Sequence, residues 1–136
     1  MRLFDVVQAT WNLLEPCAAP ALETAHASGL GVIIKEALAN GRLTNRNRDP
    51  GFAARERTLA TLAARFDVTT DAVALAAALA RPWADVVLSG AATPAQLQSN
   101  LRALDVSWDQ EAEFEAQLLA EEPEAYWRTR SDLAWN

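Results

Sequence analysis

Apolar residues recur along this chain in two rhythms, and their alternation predicts its elements. Residues 4–9, Phe-Asp-Val-Val-Gln-Ala, are a short run suited to a strand. Pro16 and Pro20 interrupt the pattern after it, and residues 20–28 read as a helix closed by Gly29. Residues 31–34, Gly-Val-Ile-Ile, form a second buried strand leading to Lys35 and Glu36. Residues 37–50 are rich in Asn, Gly and Arg and make a loop long enough to carry function. Residues 56–66 place Leu59, Leu62, Ala63 and Phe66 on one face of a helix. Val68-Thr69-Thr70-Asp71 opens another helix, nearly all apolar over residues 73–79 and stopped by Pro82, which predicts burial on every side. Residues 85–88 are the third strand. Residues 94–104 come next as a helix with Leu97, Leu101 and Leu104 inward. Ser107 and Gln110 have capping-box spacing and open a last helix through about residue 121. The tail carries Trp127 and Trp135, expected to pack, beside Arg128 and Arg130.

Strands alternating with helices imply right-handed crossovers and an α/β fold with a parallel sheet. Such sheets are covered on both faces, and about three strands would leave two edges as open pairing templates. The expected architecture is therefore a partial barrel or sheet, one domain over residues 1–136, resembling a piece of something larger. Burial in such a piece is incomplete, so the isolated chain is expected to be marginally stable or to self-associate through its sheet edges.

Residues 86–100 carry the sharpest local signal. Val86, Val87 and Leu88 read as a strand covered on both faces, and Ser89, Gly90, Ala91 and Ala92 keep the turn uncrowded. Thr93 suits an N-cap, Pro94 the first helical position, and Gln96 the third position of a capping box. A helix starting where a parallel strand ends aims its free N–H groups and its dipole at the turn, which favours a phosphate.

Charge and composition narrow the classes. The net charge of −6 opposes a nucleic-acid binder but leaves room for a local anion site. Abundant alanine fits packed helices. Cys17 is the one cysteine, so no internal disulfide forms, and a cytoplasmic setting is expected; nothing nearby would lower its pKa to make it reactive. No apolar run approaches the ~18 residues of a membrane span. The opening Met1-Arg2-Leu3-Phe4-Asp5 is broken by Asp5 and does not read as a leader.

These residues together resemble the C-terminal part of the aldo/keto reductase family. Gln8 followed by Trp11-Asn12-Leu13-Leu14 looks like the sixth strand of the family's barrel and its exit. The run from Gly31 to Thr44 looks like the seventh strand and its loop, and residues 86–100 look like the eighth strand and the adenosine-phosphate motif. The resemblance implies a partial (β/α)8 TIM barrel that binds NADPH at its C-terminal strand ends, with NADH not excluded. It assigns Gln8 to the nicotinamide carboxamide, and Leu38 and Asn40 to a loop over the pyrophosphate. It assigns Gly90, Ala91 and Ala92 to the turn that receives the adenosine phosphate, and Gln96 and Asn100 to the 2′-phosphate and adenine. The activity implied is carbonyl/alcohol oxidoreduction by hydride transfer.

Two positions depart from the pattern. Lys35 stands where many members stack an aromatic ring on the nicotinamide, and Gln96 where others set an arginine on the 2′-phosphate. The family's Asp, Tyr, Lys and His catalytic set belongs to its N-terminal half, and Tyr126, Lys35 and His26 match none of those positions. No catalytic residue and no metal ligand is therefore named; a small carbonyl substrate is expected only where that half is supplied. The alternatives are a non-catalytic remnant that binds a dinucleotide or a partner, and an inactive truncated product. Plainer roles also stand beside the cofactor roles. Gln96 can simply close its capping box, Asn100 lie on a solvated face, Lys35 and Glu36 form an exposed ion pair, and His26 sit at a boundary.

Overall fold

The computed structural model describes residues 3–134, and Trp135 lies outside them. Three parallel strands, β1 (Val6–Thr10), β2 (Gly31–Lys35) and β3 (Val86–Val87), form one sheet in the order β1-β2-β3. In the register Gln8 lies opposite Ile33 and Ile34 opposite Val87. The crossover from β1 to β2 is α1 (Ala19–Ala27). That from β2 to β3 contains α2 (Ala53–Phe66) and α3 (Thr70–Leu79). After β3 come α4 (Pro94–Leu101), α5 (Gln110–Ala116) and α6 (Pro123–Asp132).

Alternation along the strands separates two faces. Val7, Ala9, Val32, Ile34 and Val87 point to the helices, with α1 against β2 and α3 against β3. The helix α3 is buried along most of its length because Ala72, Ala74, Ala76, Ala77 and Ala78 let its backbone come close to every neighbour. Gly29 ends α1 as expected: its φ is 83°, its N–H donates to the His26 carbonyl, and the Leu30 N–H reaches Ala25.

The other sheet face is not covered. Val6, Gln8, Ile33, Lys35 and Val86 share it by register. Val86 is 47% and the adjacent Leu88 43% exposed, so the expectation that this strand is buried on both sides is corrected. An apolar run signals that cover is needed but supplies only one covering layer here. The same reason corrects α4. Leu97, Leu101 and Leu104 face outward, Leu104 at 72%, beside an apolar hollow of about 190 Å³ shared with Leu75 and Leu79. Asn100 and Ala103 are the residues buried instead.

Two helix boundaries also differ. Ser107 does not cap α5; the Asp109 carboxylate accepts from the Ala112 N–H at 2.9 Å, a charged acceptor displacing a neutral one. The helix then tightens into a 3-10 turn, Gln117–Leu119, short of the expected end. The tail, read only as a place for packing aromatics, is the helix α6. Its Tyr126 is buried and its Trp127 half exposed, meeting the Tyr126 ring edge-on at 5.2 Å.

Candidate functional site

The site is built where β2 and β3 end. Beyond β2 the chain turns through residues in the left-handed region: Glu36 at φ 56°, Ala39 at 48° and Asn40 at 55°, then Gly41 at 90°. Three non-glycine residues in that region cost about 1 kcal/mol each or more, so the surroundings must hold them. Asn12, fully buried just after β1, holds the first of them, Glu36. Its Nδ2 donates to the Glu36 carbonyl and to the Tyr126 hydroxyl, both at 2.9 Å, and its Oδ1 accepts from the Leu14 and Glu15 N–H groups at 3.0 Å. Every hydrogen-bonding position of the amide is used.

The Glu36 side chain is held from α6. Arg130 Nη2 donates to its Oε1 at 3.0 Å and Nε to its Oε2 at 3.1 Å, while Asn40 Nδ2 reaches Oε2 at 3.2 Å. Burial alone would raise this carboxyl's pKa, but the bonds from Arg130 and Asn40 outweigh it and hold the pKa below the ordinary value. The exposed Lys35–Glu36 pair considered from the sequence is thus replaced by a Glu36–Arg130 pair. Burial raises the Tyr126 phenol's pKa. The loop's outer half is anchored likewise, with Arg42 forked onto Glu121 at 2.6 and 2.9 Å.

The turn after β3 is capped by its own side chains. Thr93 Oγ1 accepts from the Gln96 N–H at 3.2 Å, so the N-cap read from the sequence is present. Gln96 Oε1 accepts from the Ala92 N–H at 2.8 Å, and Ser89 Oγ from the Ala91 N–H at 3.2 Å. Asn100 Nδ2 donates to the Ser89 carbonyl at 3.2 Å and ties α4 to the strand end. The expectation of free amides aimed at a ligand therefore meets a turn whose Ala91, Ala92 and Gln96 amides already have acceptors.

Between loop and turn runs a cleft of two adjoining cavities. One, about 340 Å³, is lined by Lys35, Glu36, Leu38, Asn40, Ser89 and Gly90 among others. The second, about 220 Å³, is lined by Leu38, Gly90, Ala91, Gln96, Ser99 and Asn100, with Thr69 and Asp71 from the start of α3. Leu38, Arg46 and Gly90 belong to both. The size falls within the roughly 300–1,000 Å³ of small-molecule sites. The fold thus gathers Leu38, Asn40, Gly90, Ala91, Gln96 and Asn100 around one cleft. Ala92 sits at its rim with its amide bonded to Gln96. Gln8 lines neither cavity and lies on the open sheet face, two residues before Thr10, which pairs with Lys35. Sequence reasoning missed Arg46, Thr69 and Asp71. The abundance of arginine and asparagine in residues 37–50 was the one signal, and it did not single out Arg46.

Other candidates have structural partners. Tyr126 is 1% exposed, and its hydroxyl is bonded to Asn12. His26 Nε2 lies 3.5 Å from Asp85 Oδ1 at a half-exposed boundary. Cys17 is exposed, and hydrogen bonding to Glu15 raises its pKa, so thiolate is disfavoured. Among the described residues no group of His, Cys, Asp and Glu is placed to hold a metal, and no helix is long and apolar enough to cross a membrane.

Comparison with known proteins agrees with this fold. The Aldo/keto reductase family model matches residues 3–116. The fold is similar to the apo form of aldo-keto reductase AKR11C1 from Bacillus halodurans, with a TM-score of 0.66, 20% identity, and coverage of 86% of this chain and 44% of that one. The holo form of the same enzyme gives a TM-score of 0.64 at 20% identity, covering 86% of this chain and 43% of that one. The thermostable aldo-keto reductase Tm1743, in complex with the inhibitor epalrestat, gives 0.67 at 23%, covering 82% of this chain and 38% of that one. The chain spans less than half the length of these solved relatives. No curated protein sequence matches it.

Proposed function

We propose that this chain, which belongs to the aldo/keto reductase family, grips the adenosine-diphosphate half of a nicotinamide dinucleotide in the cleft between the β2 exit loop and α4. The observation that supports this is convergence. Leu38 and Asn40 come from one loop, and Gly90, Ala91, Gln96 and Asn100 from a distant strand, turn and helix, yet all line one continuous cleft. The expected form is NADPH. Gln96 is neutral and carries no charge that would exclude NADH. Gln8, on the open face below Lys35, is assigned the nicotinamide carboxamide by the family resemblance.

The proposed reaction in the whole protein is hydride transfer between the nicotinamide and a small carbonyl compound or its alcohol. The cofactor supplies the hydride; this chain's residues bind and orient it. The reaction is proposed to require further barrel strands over the open face of β1, β2 and β3, where Val6 and Val86 are half exposed. Without them the open edges are the proposed surface for self-association, and the cytoplasm is the proposed setting. A second reading, a binding module without turnover, is favoured by the Tyr126 hydroxyl, which is buried against Asn12 and closed to a carbonyl substrate.

The test is a fluorescence titration of the full chain with NADPH and NADH. Saturable binding that is lost in the double variant Gln96→Ala, Asn100→Ala supports the site; absence of saturable binding to either nucleotide sinks it. Carbonyl-dependent oxidation of NADPH by the chain alone would exclude the module reading and the need for further strands.

A further inference from the structure

We infer that the leucine face of α4 is a two-fold interface between two copies of this chain, with Leu104 of each copy seated over the apolar hollow of the other. The inference rests on the proposed self-association and names its surface, the helix beside β3 rather than the strand edges. Three observations converge on it. The first is area. The chain exposes 8192 Å², whereas a folded monomer of its 14.8 kDa mass exposes roughly 7,000 Å². The excess, roughly 1,200 Å², is more than the ~800 Å² that each partner gives to a stable interface. Of the twelve large apolar residues left exposed among the described residues, Leu79, Leu97, Leu101 and Leu104 gather round one hollow.

The second is shape. Leu97, Leu101 and Leu104 are spaced four and then three residues apart, the spacing of a helix–helix seam. Leu104 stands in the 3-10 turn that continues α4, 72% exposed at the rim of the hollow, and is the knob. The hollow, about 190 Å³ and lined by Leu75, Leu79, Leu97 and Leu101, is the hole. Knob and hole belong to the same patch, so the patch is complementary to itself, which is what an isologous two-fold contact requires. With the axis near Leu101, antiparallel helices set Leu104 of each copy opposite Leu97 of the other.

The third is polarity. No charged residue lines the hollow. Its polar residues are already bonded: Asn100 Nδ2 donates to the Ser89 carbonyl, and Ser89 Oγ accepts from the Ala91 N–H. At the end of α4, Arg102 and Asp105 pair with each other at 2.7 Å and leave the rim neutral. Two copies that each carry a net charge of −6 can therefore meet here without setting like charges against each other. The strand edge alone offers less, since β3 is two residues long and gives a partner strand little to bond.

The experiment follows the full chain by sedimentation velocity over a wide range of concentration, beside the variants Leu104→Glu and Phe114→Glu. Leu104→Glu is expected to weaken the dimer at least a hundredfold, roughly, because the symmetry places the substitution in the interface twice. Phe114→Glu, on α5 and as exposed, should leave the dimer unchanged. Both side chains are exposed in the monomer, so far-UV circular dichroism should match the wild type. The melting temperature should rise with concentration in the wild type but not in Leu104→Glu. In a Cys17→Ser background, Leu101→Cys should form a disulfide-linked dimer on oxidation, because the two copies of residue 101 meet across the axis. Absence of that cross-link overturns the two-fold geometry. A dimer that Leu104→Glu leaves intact puts the contact on the strand edges and overturns the α4 interface. A wild type that stays monomeric at every concentration overturns the proposed self-association itself, a separate result, and leaves the face to further barrel strands.

Discussion

Arg130 on the last helix and Glu36 at the end of β2 face each other side by side, with Nη2–Oε1 at 3.0 Å and Nε–Oε2 at 3.1 Å. The pair joins the tail to the loop that borders the cleft, and it holds Glu36 in the left-handed conformation that starts the loop.

The pair predicts an acid-sensitive component of stability. The Glu36 carboxyl has its pKa held below the ordinary glutamate value, and Glu113, bonded by Arg81 and Trp108, does too. Both groups bind protons more readily unfolded than folded. Their stabilisation is present in full above the unfolded pKa and is lost as pH falls through the lower folded one. Urea midpoints measured downward from about pH 5 should therefore fall in the wild type and fall less steeply in Glu36→Gln. Parallel pH curves for the two proteins would contradict this.

Asn12 is fully buried and uses every hydrogen-bonding position of its side chain. Asn12→Ala leaves the Glu36 carbonyl, the Tyr126 hydroxyl and two N–H groups without their present partner. The expected loss is about 2–4 kcal/mol by urea unfolding. Asn12→Asp keeps the acceptor but aims a buried carboxylate at the Glu36 carbonyl, and should do no better.

The cap of α4 separates stability from binding. Thr93→Ala should cost about 1 kcal/mol and Thr93→Ser much less, because the hydroxyl that accepts from the Gln96 N–H is retained in serine. Equal losses would show that the methyl group and not the cap is what matters.

Gly90 has φ +64° and nothing within 4 Å of a Cβ built there. Gly90→Ala should thus cost only the left-handed strain, about 1 kcal/mol. Gly90→Val additionally projects into both cavities and should reduce NADPH binding at least tenfold beyond Gly90→Ala. Identical affinities in the two variants would move the nucleotide off this turn.

Much of the framework was legible along the chain because it rests on local physics. Short apolar runs gave three strands, the all-apolar stretch before Pro82 gave a buried helix, and Thr-Pro-x-Gln gave an N-cap that is present, although the Gln96 side chain returns to the Ala92 N–H rather than to that of Thr93. The apolar stripe Leu97, Leu101, Leu104 was legible as a stripe but not as an outward one, since periodicity states that a face needs cover and cannot state which layer supplies it. Ser107 lost its cap to Asp109 because the two candidates are too close in sequence for spacing to rank them.

The sequence alone determined that this is an α/β chain with a capped strand-turn-helix, since capping, strand length and helix burial are written within a few residues of one another. Only the tertiary structure decided where the charges go. Glu36 meets Arg130, Asn12 meets Tyr126, and the Ala91, Ala92 and Gln96 amides meet side chains of their own turn. The first two pairings join residues far apart along the chain, and a hydrogen bond is short-ranged and directional. Which donor meets which acceptor is therefore set by how the helices close over the sheet, after the local elements have formed.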